Sequence, residues 1–123
     1  MSPIILSIVR KNLEPNLKIN PKRFDKLMTI ISGWGEGDII YPNHFKSQLL
    51  ISFSEAYTIL DNLVELGILK YVFQIYCHRC NEFQGRTMMD SLNKFPHEAY
   101  CDFNHKLSAS KDVIVLYEVK IHD

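Results

Sequence analysis

Residues 52–67, SFSEAYTILDNLVELG, contain the clearest secondary-structure pattern in the chain. Ser52 and Glu55 have the spacing of a capping box, in which each side chain accepts a hydrogen bond from the other residue's backbone amide. Gly67 is the residue type that commonly ends a helix. The stretch therefore predicts a capped amphipathic helix from Phe53 to Leu66. Its apolar residues recur at helical spacing and form one broad face: Ala56, Ile59, Leu60, Leu63, Val64 and Leu66.

Two further helices and two long strands are predicted around this helix. Pro21 and Pro42 each suit the first turn of a helix, where the missing proline amide would have no helical partner. The helix from Pro21 ends at the glycines of residues 33–37, and the one from Pro42 ends near Leu49. A short extended piece at residues 38–41 separates them. The strands are apolar, aromatic and β-branched, and they cover Ile68–Tyr76 and Val113–Ile121.

The order of these elements is helix, short strand, helix, turn, helix and two long strands. The run from Phe45 to Leu69, which ends in Leu-Gly-Ile-Leu, resembles winged helix-turn-helix regulators in the segment that leads into their wing. This resemblance covers residues 21–76 and the last strand. It implies an α+β fold, a three-helix winged helix-turn-helix with a β-hairpin wing, built from residues 21–76 and 112–123. Residues 1–20 are then an N-terminal extension.

All three cysteines lie in two short motifs. Cys77 and Cys80 are spaced C-x2-C, and Cys101 and His105 are spaced C-x3-H. Three thiolates and one imidazole are the four ligands that a tetrahedral structural Zn²⁺ requires, and they leave no open position for a reacting water. A Cys-x-x-Cys pair can also be a redox pair, but redox pairs need no second ligand pair. His97 lies nearby and is the alternative fourth ligand.

The zinc motifs fall between the two predicted wing strands. Residues 77–111 are therefore predicted to form a small zinc-ribbon-like lobe inserted in the wing. A short helix is expected within it, with Thr87 and Asp90 as a second capping box and Pro96 after its end. So short a segment cannot build a large apolar core, and the metal is expected to replace one.

Composition limits the function classes. The 123 residues contain 14 basic and 14 acidic side chains, so the net charge is zero and gives no general attraction to nucleic acid or anionic membrane. No run is long and apolar enough to span a bilayer. Three cysteines in a zinc spacing favour a reducing compartment, which predicts a cytoplasmic protein.

An enzyme is not predicted. The run from His97 to His105 superficially resembles His-Asn-His nucleases, but the lobe is too short and His105 is already a metal ligand. The sequence has no nucleophile elbow, phosphate-binding glycine loop or paired-carboxylate motif. A small-molecule substrate is likewise not expected.

The outward face of the helix from Phe53 to Leu66 decides between two binding functions. This face carries three acids and no base, which would oppose DNA phosphates. An adaptor or assembly subunit that binds a protein partner or a second copy is therefore predicted, of the kind found in bacterial multi-gene systems, and a DNA-binding transcriptional regulator is the alternative. The apolar segment Ile4–Val9 is expected to pack on the domain or on a partner. The candidate partner-binding residues are Glu55, Thr58, Asp61, Asn62 and Glu65 on the helix, and Arg79 and Arg86 near the lobe.

Overall fold

A computed structural model describes residues 1–85 and 88–120 and has an α+β fold, as predicted. Within these residues, one sheet has the strand order β1-β6-β2-β3, and a second sheet pairs β4 with β5. The α-helices are α1 (Pro3–Leu13), α2 (Pro21–Ser32), α3 (Pro42–Leu49) and α4 (Phe53–Glu65). The strands are β1 (Ile39–Ile40), β2 (Leu69–Cys77), β3 (Glu82–Phe83), β4 (Ala99–Tyr100), β5 (Lys106–Leu107) and β6 (Val113–Val119).

The chain divides into two compact units. Residues 1–70, together with the chain from 117 onward, form the helical unit, and residues 71–116 form the cysteine unit. Strands β2 and β6 each begin or end in one unit and continue into the other. The four helices therefore belong to one core, and all three cysteines belong to the other unit.

Helix α4 confirms the capping-box prediction. The amide of Glu55 donates to Ser52 Oγ at 3.1 Å, and the amide of Ser52 donates to Glu55 Oε1 at 3.2 Å. The helix ends just before Gly67, which has a φ of 79° that glycine adopts without steric cost. The apolar face is buried in the core of the helical unit through Ala56, Ile59, Leu60 and Leu63.

Helices α2 and α3 begin at their prolines, as predicted. Asn20 caps α2, because its side-chain oxygen accepts a hydrogen bond of 2.9 Å from the amide of Arg23. The ring of Trp34, just after α2, lies 6.0 Å from the ring of Phe45 in α3, at an angle typical of tilted aromatic packing. Both rings are buried in the core of the helical unit.

Four α-helices are present in the described residues, where the sequence predicted three. The added helix is α1, formed by residues that were expected to be an extension. Val9 and Leu13 are fully buried in the core of the helical unit, while Ile4 and Ile8 stay exposed. Helix α1 packs against α2 and α4. The sequence left open whether Ile4–Val9 packs on the domain or on a partner, and Val9 packs on the domain.

Strands β1, β2 and β6 lie within one or two residues of the predicted extended segments, whereas β3, β4 and β5 were not predicted. Strand β1 pairs antiparallel with β6, with Ile39 opposite Glu118 and Ile40 opposite Tyr117. Strand β6 ends at Val119, and the predicted end at Ile121 lies outside the described residues. Strand β2 neighbours β6 in the sheet, so the two long strands flank the cysteine segment as expected.

The short helix expected between the two cysteine motifs is a single 3₁₀ turn at Leu92–Lys94, which begins later than the predicted cap at Thr87 and Asp90. Ser91 caps this turn by accepting a hydrogen bond of 3.2 Å from the amide of Asn93. The predicted cap residue Thr87 lies outside the described residues. Met89 is buried and exchanges backbone hydrogen bonds with Phe73 of β2, which anchors the segment to the cysteine unit.

Candidate metal centre

The first cysteine motif lies in a hairpin turn. Cys77 is the last residue of β2, and β3 pairs back onto it, with Cys77 opposite Glu82. The reversal is completed by Asn81, which has a φ of 56°, in the left-handed region that asparagine tolerates better than most residues. This turn places Cys77 and Cys80 on the same side of the hairpin, facing the second motif.

The second motif lies in the turn between β4 and β5. The amide of Cys101 donates to the carbonyl oxygen of His105 at 3.0 Å, and the amide of Asn104 donates to the carbonyl oxygen of Cys101 at 2.9 Å. Asn104 has a φ of 67°, again in the left-handed region. The C-x3-H spacing is therefore the length of one closed turn with an asparagine at its reversal point.

The four predicted ligands lie together, with their ligand atoms within 4.8 Å of one another. The Sγ atoms of Cys80 and Cys101 are 3.6 Å apart, and Nδ1 of His105 lies 3.7, 3.4 and 3.2 Å from the Sγ atoms of Cys77, Cys80 and Cys101. Metal bonds of about 2.3 Å to sulfur and about 2.0 Å to nitrogen put tetrahedral ligand atoms about 3.5–3.8 Å apart. The arrangement is compatible with one metal ion at its centre.

The same distances exclude a disulfide between Cys80 and Cys101. A disulfide bond is about 2.05 Å long, and 3.6 Å between Cys80 and Cys101 is far beyond it. All three cysteines are free, and Cys77 and Cys101 are buried. Free thiols buried against one another and against an imidazole are typical of a metal site rather than of a redox pair.

The thiols of the site have perturbed proton affinities. Burial, together with hydrogen bonds to the Cys77 and Cys101 thiols, raises the pKa of Cys80 to about 12. Burial is the largest single influence on Cys101 and favours its neutral thiol. The backbone N–H groups of His105 and Phe103, together with hydrogen bonds from the Cys80 and Cys77 thiols, outweigh burial and lower the pKa of Cys101. A bound divalent cation would deprotonate all three thiols, because it stabilises thiolate far more than these neighbours do.

His105, and not His97, completes the group of four among the described residues. His97 is exposed and lies outside the cluster. His105 is half-buried, and its backbone amide lies 3.3 Å from Cys101 Sγ, where it donates to the sulfur. Such an N–H donor stabilises a metal-bound thiolate.

Asp112 supports the site, although it was not among the residues predicted from the sequence. Its carboxylate accepts hydrogen bonds from the amides of Ser108 at 2.9 Å and His78 at 3.4 Å, and it lies 3.5 Å from His78 Nδ1. The Ser108 amide, followed by the His78 groups, holds the pKa of Asp112 below its usual range. This carboxylate ties the first cysteine turn to the chain before β6. An aspartate in a turn is the one sequence signal that could have indicated it.

The predicted partner-binding residues differ in their hydrogen bonds and in their exposure. On α4, Glu55 is held in the capping box, and the Thr58 hydroxyl donates to the Ser54 carbonyl at 2.9 Å. Asp61 accepts a hydrogen bond of 2.8 Å from the Tyr117 hydroxyl, and Asn62 is half-buried. The other two residues that the structure describes, Glu65 and Arg79, are exposed, and Arg86 lies outside the described residues.

The N-terminal half of α4 is flanked by the connection between α1 and α2. Residues 16–19 line a small cleft of about 130 Å³ together with Ser54, Glu55 and Thr58. Leu17 and Ile19 pack on the core of the helical unit from this connection. Part of the outward face of α4 therefore lies beside this connection and stays exposed.

The hydrogen bond between Tyr117 and Asp61 gives a first prediction. We expect Tyr117→Phe to lower the free energy of unfolding by about 1–2 kcal/mol, because the charged Asp61 loses its donor. Tyr57→Phe is the matched control, since Tyr57 is exposed, and its effect should stay below about 0.5 kcal/mol. Urea unfolding followed by circular dichroism measures both. Equal effects of the two substitutions would contradict a structural role for Asp61.

No protein-family model, curated protein or solved structure matches the chain. Within the described ranges, no helix is both long enough and apolar enough to cross a membrane. The four ligand residues themselves define what the site can hold, which is a small cation that accepts three sulfurs and one nitrogen in tetrahedral geometry. Because the protein supplies all four positions, such an ion would have structural rather than catalytic chemistry.

Proposed function

We propose that this protein is a zinc-stabilised, non-enzymatic adaptor or assembly subunit of winged-helix type that binds a protein partner. In this proposal α3 and α4 are the helix-turn-helix, β2 and β6 form the wing, and the cysteine unit is the zinc-bearing insertion. A single observation carries the binding function. It is a group of exposed apolar side chains at the α3–α4 turn, which we call the turn patch: Leu50, Phe53 and Tyr57.

Zinc is the metal that suits the site best. Three thiolates and one imidazole form a common structural zinc set, and softer or harder ions prefer other ligands. The buried cluster at the site consists of Cys77, Cys101 and Leu107, so two of its three members are ligands. A unit with so few buried apolar side chains at this point gains its local stability from the metal. Three free cysteines suit a reducing compartment, so we propose a cytoplasmic location.

The turn patch exposes large apolar area. Leu50 is 71 % exposed, Phe53 48 % and Tyr57 42 %. The rings of Phe53 and Tyr57 are stacked with centroids 6.2 Å apart, and Lys46 Nζ lies 5.0 Å from the centre of the Phe53 ring. Grouped aromatic and aliphatic side chains beside a cation are typical of anchors in protein interfaces.

The backbone conformation of Leu50 is also energetically unfavourable. It has φ 54° and ψ 47°, the left-handed conformation that follows α3. A non-glycine residue pays about 1–2 kcal/mol there, which glycine would avoid. The leucine side chain is exposed and so gains little burial inside this chain. A strained and solvent-exposed leucine is explained by a contact with another molecule, which supports the turn patch as a docking surface.

DNA binding through α4 remains the second candidate and has less support. The helix presents Glu55 and Glu65 outward, and Asp61 is bound to Tyr117. Acidic side chains over phosphates oppose docking. Fluorescence anisotropy with a mixed-sequence duplex tests this candidate. Salt-sensitive binding below micromolar concentration that is lost on Asn62→Ala would reverse the ranking.

Site-specific crosslinking tests the adaptor function directly. A photoreactive benzoylphenylalanine replaces Tyr57, or replaces the exposed Lys22 of α2 as a control, in the cells that produce the protein. We expect a discrete protein adduct from position 57 that is absent from position 22 and is lost when Leu50→Asn is added. An adduct of twice the chain mass identifies a second copy as the partner. Identical adducts from both positions, or none from either, would contradict the proposal.

Relief of the strain at Leu50 gives a second prediction. We expect Leu50→Gly to leave the free energy of unfolding unchanged or to raise it by up to about 1 kcal/mol, because reduced strain competes with a more flexible unfolded chain. Leu49→Ala, at the buried neighbour, should instead cost about 2–5 kcal/mol. Urea unfolding compares the two variants. A loss above about 1 kcal/mol for Leu50→Gly would mean that Leu50 serves the fold of this chain.

A further inference from the structure

A cleft of about 320 Å³ lies in the cysteine unit next to the metal ligands. Both ligand turns contribute to its wall, through Cys77 and His105, and so does the chain before β6. Three basic side chains reach it from three separate segments: Arg79 from the first cysteine turn, Lys106 from β5 and Lys111 from the turn before β6. The fold of the unit therefore gathers cations that are far apart in the sequence.

The charge balance of this cleft favours an anion. Asp112 is the one carboxylate among the described residues that line it, and its oxygens already accept hydrogen bonds from the amides of Ser108 and His78. Three thiolates and a divalent cation would together carry one negative charge. With the carboxylate of Asp112, this makes two negative charges against the three cations, so the cleft keeps one net positive charge. Arg79, Lys106 and Lys111 are all exposed, and they are available to a ligand that enters from solvent.

Two exposed aromatic rings flank a ligand of the same unit. Tyr100 is 51 % exposed and Phe103 is 71 % exposed, on either side of Cys101. Tyr100 lies opposite Lys106 in the pairing of β4 with β5, so one of these rings is beside a cation of the cleft. Unpaired bases stack on exposed rings beside a basic groove while their phosphates meet cations. A duplex hides its base faces and could not use these rings. The carboxylate of Asp102 lies between the two rings in the sequence and is exposed, which favours base faces rather than phosphates at this tip.

We propose that the cleft lined by Arg79, Lys106 and Lys111 binds the phosphates of a single-stranded nucleic acid, whose bases stack on Tyr100 and Phe103. This site lies in the cysteine unit and shares no residue with the turn patch, which lies in the helical unit. The cleft volume lies at the lower end of the range for ligand sites, which suits one or two nucleotides rather than a duplex face.

The test uses the full chain, with one zinc bound, and a fluorescent oligothymidylate in an anisotropy titration. We expect micromolar binding at low salt, with a slope of about −1 in a plot of log affinity against log salt, as one or two phosphate contacts would give. Lys106→Gln combined with Lys111→Gln should weaken binding at least tenfold and flatten the slope. Lys22→Gln combined with Lys26→Gln, on α2, is the matched control and should change neither. Zinc content and circular dichroism confirm that each variant is folded.

The bases are tested separately from the phosphates. Phe103→Ser should weaken oligothymidylate about tenfold, the size expected for loss of one stacked base, and should leave an abasic strand of the same length unaffected. A duplex of equal length should bind at least tenfold more weakly than the single strand. The proposal would be overturned by an absence of binding at 100 μM and low salt, by equal losses in the two lysine pairs, by equal binding of duplex, or by tighter binding of a phosphopeptide.

Discussion

Cys77→Ser is expected to reduce the bound zinc from one ion per chain to less than about one tenth and to unfold the cysteine unit. The structural zinc of small domains contributes about 10–16 kcal/mol of apparent binding free energy, which is folding free energy for the unit that holds it. Cys77 is fully buried at the end of β2, and serine keeps its size but not its affinity for the metal. Helices α1 to α4 should persist, because their core lies in the other unit.

Elemental analysis and a two-dimensional amide NMR spectrum measure this result. We expect the signals of residues 71–116 to collapse toward random-coil positions while helical circular dichroism is largely kept. His105→Ala should behave similarly, whereas His97→Ala, at the exposed alternative ligand, should retain one zinc. A chelator should reproduce the spectrum of Cys77→Ser in the unmutated protein. A Cys77→Ser protein that keeps its zinc and its amide spectrum would contradict the assignment of the site.

Leu13→Ala is expected to lower the free energy of unfolding by about 2–5 kcal/mol, because it leaves a cavity in a closely packed core. Leu13 has no exposed surface and packs in the core of the helical unit. Ile8→Ala is the matched control on the same helix, since Ile8 is 49 % exposed, and it should cost less than about 1 kcal/mol. Urea unfolding followed at the helical signal of circular dichroism compares the two.

This pair distinguishes a core helix from a detachable extension. If α1 only rested on the surface, both substitutions would have similarly small effects. Deletion of the first 14 residues should then also leave the rest of the helical unit stable, whereas a core role for Val9 and Leu13 predicts its unfolding. Equal small losses for Leu13→Ala and Ile8→Ala would show that the packing of α1 is not part of the core.

Features governed by neighbouring residues could be predicted from the sequence. The capping box of α4 needs only Ser52 and Glu55, and the starts of α2 and α3 need only a proline. The metal ligands belong to the same class, because each pair forms within one short turn. The two ligand pairs could be assigned to one site from the sequence because a tetrahedral metal needs four ligands.

Features that depend on distant contacts could not be predicted. Whether Ile4–Val9 packs on this chain depends on contacts of α1 with α2 and α4, so the sequence left two outcomes open. The sequence predicted that Asp61 faces outward, whereas in the fold it accepts a hydrogen bond from Tyr117, 56 residues away. Asp112 meets His78 across 34 residues. No local sequence pattern indicates these pairings, because the residues meet only in the folded chain.

The left-handed backbone conformation of Leu50 could not be predicted either, because the local residue preference argues against it. Its position after α3 is one where glycine is expected, and a leucine there carries no sequence signal for positive φ. The helix ends at Leu49 and the chain still reverses, so the tertiary packing of α3 against α4 determines the conformation of Leu50. At this residue the tertiary fold outweighs the local preference, and this is one reason for proposing that the turn patch is a docking surface.

X-ray absorption at the zinc edge of the purified, fully reduced protein tests the central claim most directly. We expect one zinc per chain, with three sulfurs at about 2.3 Å and one nitrogen at about 2.0 Å. A well-folded protein that is free of metal, or a metal bound by oxygen and nitrogen alone, would contradict the proposed site and the fold of the cysteine unit that depends on it.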